Sequence, residues 1–202
     1  MAVVTVSSSQ ALSGELDVEA ITRAIPKSYV VKGMFFSRHV SQLGAEFANV
    51  IPLLEAPPRF GKFVPFSDYQ QSDYMRVITA VVRKYYARLG LREGMRRLGR
   101  DDFNVFGEST FGRVILAVVG DAKAALLMTP GIYMKMAPGD WTATGDEIDE
   151  KTVRIEFAPT YGSWEYQLGQ LEGVAMKYGV ETTTTITEFP GPRIRYDLRL
   201  GS

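Results

Sequence analysis

Between Lys151 and Leu200 the order of apolar and polar side chains yields a strand, a helix, a strand and a strand with little chain left over. In Thr152 to Ala158, Val153, Ile155 and Phe157 alternate with Arg154 and Glu156, the period of two of a strand with one buried face. Ile194, Tyr196, Leu198 and Leu200 likewise fall opposite Arg193, Arg195, Asp197 and Arg199, after a turn at Pro190-Gly191-Pro192. Between these runs Trp164, Leu168, Leu171, Ala175 and Tyr178 recur at helical spacing, and Gly179 is placed to end the helix.

Upstream the pattern is helical. It predicts a short amphipathic turn from Leu16 to Ala24 closed by Pro26, and a helix from about Val31 to Leu43 stopped by Gly44. A helical piece follows from Ala45 to Glu55, ended by Pro57-Pro58, and then a loop RFGKFVPF. Ser67 or Asp68 can cap the core helix, whose stripe is Tyr74, Val77, Ile78, Val81, Val82, Tyr85 and Leu89. Leu91 to Gly99 reads as a shorter helix, and Asp101 or Asp102 as the start of another through Phe103, Phe106, Phe111, Val114, Ile115 and Val118. Asp121 caps a short helix to Leu127, Thr129-Pro130-Gly131 breaks it, and Gly131 to Met136 is expected to be extended. Trp141 to Thr144 reads as a strand before an acidic loop from Gly145 to Glu150. Met1 to Gly14 is small and polar and reads as a flexible tail, with Val3, Val4 and Val6 able to form an edge strand if a partner is offered. The expectation is one globular α+β domain over residues 15–202, an N-terminal helical bundle packed on a small, mainly antiparallel C-terminal sheet with one long helix.

Composition narrows the function. The 202 residues are 46% hydrophobic, enough for a sizeable core. Lys and Arg number 23 against 23 Asp and Glu, so no global field draws nucleic acid or an anionic membrane, and an electrostatic partner needs a local patch. Without cysteine there is no disulfide, thiolate metal site or cysteine nucleophile, which fits a reducing compartment. The start MAVVTVSSSQ lacks a basic region before an apolar core, and no apolar run reaches the roughly 20 residues of a membrane span. A cytoplasmic location is the expectation.

Four stretches carry a family resemblance: VVKGMFF at Val30 to Phe36, EGMRRLGR at Glu93 to Arg100, STFGRVILAV at Ser109 to Val118, and GQLEG from Gly169 followed by a strand pair. Together, over most of Val30 to Leu200, they resemble a bacterial domain family of unknown function expanded in myxobacteria. The ending, a helix with small residues and two strands closing in YDLRL, is also similar to a wider group. That group holds vinyl-four-reductase-type domains, Bet3-type trafficking subunits and haem-based nitric-oxide sensor domains. The resemblance implies a helical bundle against a twisted sheet, frequent dimerisation and a buried cavity that some members use for a small ligand. The chain departs from it in having no cysteine for the metal or acyl positions of those relatives. Its single histidine, His39, lies in the first long helix and not at the mid-chain position of an iron ligand, so no cofactor is carried over.

Candidate chemistry is sparse. His39 by itself cannot build a zinc site or a facial triad. GESTFG at Gly107 to Gly112 fails the G-x-S-x-G spacing and sits in a helical pattern, so helix packing is the expected role of its glycines. Asp146, Glu147, Asp149 and Glu150 lack the glycine and terminal glutamate of a calcium loop, leaving a solvated loop and no metal site. Arg83, Lys84, Arg88, Arg92, Arg96, Arg97 and Arg100 form the one charge asymmetry. They read as solvent faces of amphipathic helices, as a partner surface, or as an anion patch for a nucleotide or nucleic acid. Gly169 and Gly173, four apart, let another backbone approach, within the chain or across a dimer. Phe35, Phe36, Tyr85, Tyr133 and Trp164 are candidates for a cavity lining, although aromatics at such spacing also build ordinary core.

No convergent catalytic set emerges, so the expectation is a non-catalytic regulatory or scaffolding domain. It would self-associate as a homodimer, bind a protein partner and respond to a small apolar ligand. Two alternatives stand beside it: a small-molecule sensor with a buried pocket, and nucleotide or nucleic-acid binding through the Arg83 to Arg100 face, which the neutral charge balance disfavours.

Overall fold

The alternating C-terminal runs become the centre of an antiparallel sheet in the computed structural model, which describes residues 1–58, 61–108, 112–113 and 119–201. The first half holds β1 (Ala2–Ser7), α1 (Val18–Ala24), β2 (Val30–Lys32), α2 (Gly33–Leu43), α3 (Phe47–Val50), β3 (Asp68–Gln70), α4 (Gln71–Tyr85) and α5 (Gly90–Glu108). The second holds α6 (Ala122–Met136), β4 (Thr142–Asp149), β5 (Thr152–Ala158), α7 (Trp164–Lys177), β6 (Thr182–Phe189) and β7 (Arg193–Leu200). The architecture is α+β, with helices segregated to one face of a five-stranded antiparallel sheet ordered β1-β6-β7-β5-β4.

Register explains which face is buried. Val153, Ile155 and Phe157 of β5 stand beside Leu198, Tyr196 and Ile194 of β7, and all six are nearly or fully buried. The opposite face carries Arg154 with Asp197, and Arg193 and Arg195 with Glu156, as ion pairs over solvent. Against the apolar face lies α7, capped by Ser163 and followed by Gly179 at φ +71°. Over α7 crosses α5. A methyl group on Gly99 would overlap the Tyr166 carbonyl, and one on Gly169 the Arg96 carbonyl, so these glycines and Gly173 set the approach of the two helices within one chain.

Two apolar clusters result. One, among the helices, centres on Phe36, Leu43, Val77, Ile78, Val81, Met95 and Leu98. The other, under the sheet, centres on Leu126, Ile155, Phe157, Leu168, Leu171, Tyr196 and Leu198, and Trp141 packs against both.

Several elements differ from expectation. The first residues are no tail: β1 pairs with β6 along its length and buries Val6. The exposed edge of β6 offers backbone partners that a reading of local composition does not count. Val30–Lys32 and Asp68–Gln70 pair as a two-stranded ribbon joined by Lys32–Asp68 at 2.6 Å, so α2 and α4 begin later than the capping signals suggest. The free N–H groups at the start of α2 are met by the Ser67 and Pro65 carbonyls. Residues 44–53 form α3 between two 3₁₀ turns, with Pro52 at the start of the second. Helix α5 continues past Gly99 and Asp101 because the α7 crossing holds it there.

α6 also runs through Pro130. Asp121 caps it at 2.8 Å from the Ala124 N–H, and Leu126 and Pro130 are buried against β4, where Gly145 leaves room for the Leu127 carbonyl and the Pro130 ring. Tertiary burial thus outweighs the break expected at proline. The acidic segment is strand, since Asp146, Glu147 and Asp149 lie within β4 opposite Arg154, Val153 and Thr152. The helical continuation expected through Phe111, Val114, Ile115 and Val118 lies outside the described residues, as does most of the STFGRVILAV stretch.

Candidate functional site

Where the helical cluster meets the sheet cluster they do not close completely. A cavity of about 120 Å³ remains between the first turns of α4, the end of α6, the segment joining β5 to α7, and the first turns of α7. Gln71, Tyr74, Met75 and Ile78 form one wall, Tyr133, Met136 and Ala137 another, and Tyr161, Tyr166 and Gln170 a third, with Tyr29, Phe35 and Trp141 also lining it. Helical spacing sets this directly, because Tyr74 and Ile78, and Tyr166 and Gln170, are each four apart and share a helix face. Among the described residues, none of the lining side chains is charged.

Behind the aromatic wall is a chain of buried polar groups. The Tyr166 hydroxyl donates to Asp102 Oδ2 at 2.6 Å, which leaves its oxygen to accept from the Tyr74 hydroxyl at 2.8 Å. His39 Nε2 stands 3.1 Å from the Tyr74 oxygen and 3.2 Å from Asp102 Oδ2, so it carries the proton of that contact. Its Nδ1 meets Gln42 Oε1 at 2.9 Å. Arg38 closes the cluster on Asp102, and the Tyr86 hydroxyl donates to the Asp101 carboxylate. Burial, with the Asp102 charge second, pushes the Tyr74 and Tyr166 phenols well up, and burial also raises Tyr133. These phenols stay protonated and act as hydrogen-bonding groups.

The sequence-predicted lining is only partly assembled. Phe35 and Tyr133 face the cavity. Phe36 is fully buried behind the wall, its ring stacked on Phe63 at 4.2 Å. Tyr85 is 53% exposed and donates to the Gln42 carbonyl on the surface. Trp164 lies under the Arg92 guanidinium at 5.4 Å, away from the cavity. The residues that were missed, Tyr29, Gln71, Tyr74, Tyr161, Tyr166 and Gln170, left one trace. Tyr166 and Gln170, four apart, place polar groups on one face of a helix whose buried positions include Leu168, Leu171, Val174 and Ala175.

The basic set splits into a buried part and an exposed part. Arg96 is fully buried and Arg100 is 4% exposed, and both guanidiniums converge on Glu172. Arg96 also donates to the Ser7 and Gln10 carbonyls and Arg100 to that of Ser8, while Glu93 accepts from the Leu12 N–H and from Arg97. Lys84 pairs with Glu46 and Arg92 with Glu165. Arg83, Arg88 and Arg97 stay exposed. Arg96 and Arg100 therefore leave the expected patch and form a buried clamp that staples the N-terminal segment onto α5 and α7, while Arg83, Lys84, Arg88, Arg92 and Arg97 lie outside it. Its shared carboxylate, Glu172, comes from a distant part of the sequence, which local charge counting does not see.

A protein-family model, the family of unknown function DUF2378, matches residues 24–199. The chain belongs to that family. Among curated proteins none matches the chain. Among solved structures it is similar to the Fe(II) unliganded H-NOX protein from K. algicida, with a TM-score of 0.66 at 12% identity over 85% of this chain and 97% of that one. It is similar too to the H-NOX protein from S. oneidensis in the Fe(II)NO ligation state, with a TM-score of 0.67 at 11% identity over 85% and 99%. A mutant of the H-NOX protein from T. tengcongensis gives 0.62 at 17% over 85% and 98%. The DUF2378 chain thus has an H-NOX-like fold.

That fold raises the question of haem, and the residues here do not fit it. The single histidine is 1% exposed, has both ring nitrogens engaged, and is not among the cavity lining. The lining phenols are held protonated by burial, which opposes an iron–phenolate bond. The cavity is also smaller than the roughly 300–1,000 Å³ of pockets for drug-sized ligands, let alone a porphyrin. Among the described residues no group of three His, Asp or Glu side chains is placed to hold a metal ion, and no helix is long and apolar enough to cross a membrane.

Proposed function

We propose that this DUF2378 domain is a non-catalytic small-molecule sensor whose ligand sits between the helical half and the sheet half. The observation that carries the reading is the position of the cavity, bounded by α4 on one side and by α6 and α7 on the other. A ligand there touches both halves, so its binding energy differs between arrangements that bring them together or part them, which is what a sensor requires. The similar H-NOX proteins, one of them in an Fe(II)NO ligation state, support a ligand-responsive use of the fold, although here the response does not run through iron. The Tyr74–Tyr166–Asp102–His39 chain links the cavity wall to α2 and α5 and supplies a route by which a shift of α7 reaches the outer helices.

The test is a native mass spectrum of the protein purified from its own host. A retained small mass, lost from a cavity-filling Ala137→Leu variant, supports the reading. Wild type and variant with the same bare mass, together with no thermal shift across a library of small fragments, count against it.

Self-association is the second reading. β1 lies at the sheet edge with Val3 56% and Val4 39% exposed, a strand whose outer side is open to a second copy. Light scattering at high micromolar concentration decides it, with a dimer that Val4→Lys returns to monomer as the supporting result.

A further inference from the structure

Polar groups of the cavity wall narrow what enters it. Among the described residues the lining side chains carry no charge, so a carboxylate or ammonium stripped of water there meets no counter-charge. The volume of about 120 Å³ approaches the ~150 Å³ of an engineered apolar cavity that admits benzene, which sets the scale at one ring.

Two amides in different walls each have one end committed and one end open. Gln71 Nε2 donates to the Tyr161 carbonyl at 2.8 Å, and because a carbonyl only accepts, the bond fixes the amide with Oε1 left over. Gln170 Oε1 accepts from the Tyr133 hydroxyl, which leaves the Nε2 protons. Turned over, that amide would free the Tyr133 proton instead, so the pair offers a donor either way. Among the described residues neither Gln71 Oε1 nor Gln170 Nε2 has another partner, and neither is sealed from solvent as the unpartnered oxygens of Thr22, Glu165, Thr182 and Thr184 are. The segment joining β5 to α7 adds donors, since the Tyr161 hydroxyl is uncommitted and Thr160 Oγ1, accepting from Gln167 Nε2 at 3.2 Å, keeps its proton. The wall thus presents an acceptor on α4 and donors on α7 and the segment before it.

We infer that the cavity takes an uncharged, single-ring-sized molecule that both donates and accepts, of the lactam class, with its donor on Gln71 Oε1 and its acceptor on Gln170 Nε2. Such a ligand bonds α4 and α7 at once and so joins the two halves as an apolar guest cannot. The inference rests on the sensor reading but is narrower than it.

Calorimetric titration at pH 8 with four bare rings separates the two. 2-Pyridone donates and accepts, pyrrole only donates, uncharged pyridine only accepts, and benzene does neither. 2-Pyridone is expected to bind about two- to tenfold more tightly than pyrrole or pyridine, for the one hydrogen bond each lacks. Gln71→Leu should weaken 2-pyridone and pyrrole by about that factor and spare pyridine and benzene, whereas Gln170→Leu should weaken 2-pyridone and pyridine and spare pyrrole and benzene. Pyrrole or pyridine binding as tightly as 2-pyridone to the unaltered protein overturns the inference, and the sensor reading survives. Variants that weaken all four rings alike, or none, do the same. If no ring binds, benzene included, both readings fall.

Discussion

Replacing Glu172 by Ala removes the shared partner of two buried guanidiniums. Glu172 is fully buried and accepts from Arg96 Nε and Arg100 Nε, each at 2.8 Å. In the variant Arg96 keeps Glu93 at 3.5 Å and the carbonyls of Ser7 and Gln10, while Arg100 keeps, among the described residues, only the Ser8 carbonyl. Removing one member of a buried ion pair typically costs about 3–5 kcal/mol, because the charge left behind is not rehydrated. Against a total stability of about 5–15 kcal/mol this is a large fraction. At roughly 2–4 °C per kcal/mol for a domain of this size, Tm should fall by roughly 6–20 °C.

The comparison is Arg97→Ala, whose guanidinium is about half exposed and pairs with Glu93 on the outside, expected to cost under about 1 kcal/mol. Urea denaturation gives both numbers. Hydrogen exchange on Glu172→Ala adds the location, because the clamp holds the carbonyls of residues 7, 8 and 10, so protection should fall first in β1 and through Leu12. A Glu172→Ala cost no larger than that of Arg97→Ala, or exchange unchanged in β1, refutes the clamp.

Three further variants or additions probe other parts of the account. Burial raises the Glu165 carboxyl above its usual range, more than its contacts with Ser163 and Arg92 lower it. Its ionised form therefore costs stability that is absent below the unfolded value and grows as pH rises through the raised folded one. Glu165→Gln should raise Tm at pH 8 by an amount that shrinks towards pH 5, and a pH-independent difference would argue against it. Thr184 is fully buried on β6 with its hydroxyl unpartnered among the described residues, so Thr184→Val should stabilise by about 1 kcal/mol in the same urea assay, and a loss of stability would contradict this. Haemin added to the protein should give the spectrum of free haemin; a sharp Soret band abolished by His39→Ala would contradict the donor argument.

The parts of the fold that could be read from sequence were those whose signal is local. The alternation in β5 and β7, the stripe of α4 and the glycine after α7 each sit within one turn or one strand, and each reappears in place. What could not be read depends on residues far apart. β1 is a strand because β6 lies beside it, and α6 survives Pro130 because β4 buries it. Arg96 looks like any surface arginine until Glu172 is brought against it from α7. The cavity followed the same rule. Phe35 and Tyr133 were visible as aromatics, but a void exists only where two clusters fail to close, and no single stretch encodes that gap.

The central claim is that this gap is a place for a ligand, and xenon tests it most directly because xenon needs no hydrogen bond. Under xenon pressure the methyl resonances of Met75, Met136 and Ile78, which line the cavity, should shift and saturate together while those of Val18 and Leu43, in the helical core but outside the lining, stay still. Ala137→Leu should abolish the shifts. Methyl groups of the cavity that ignore xenon, or that move no more than the rest of the core, would contradict the account.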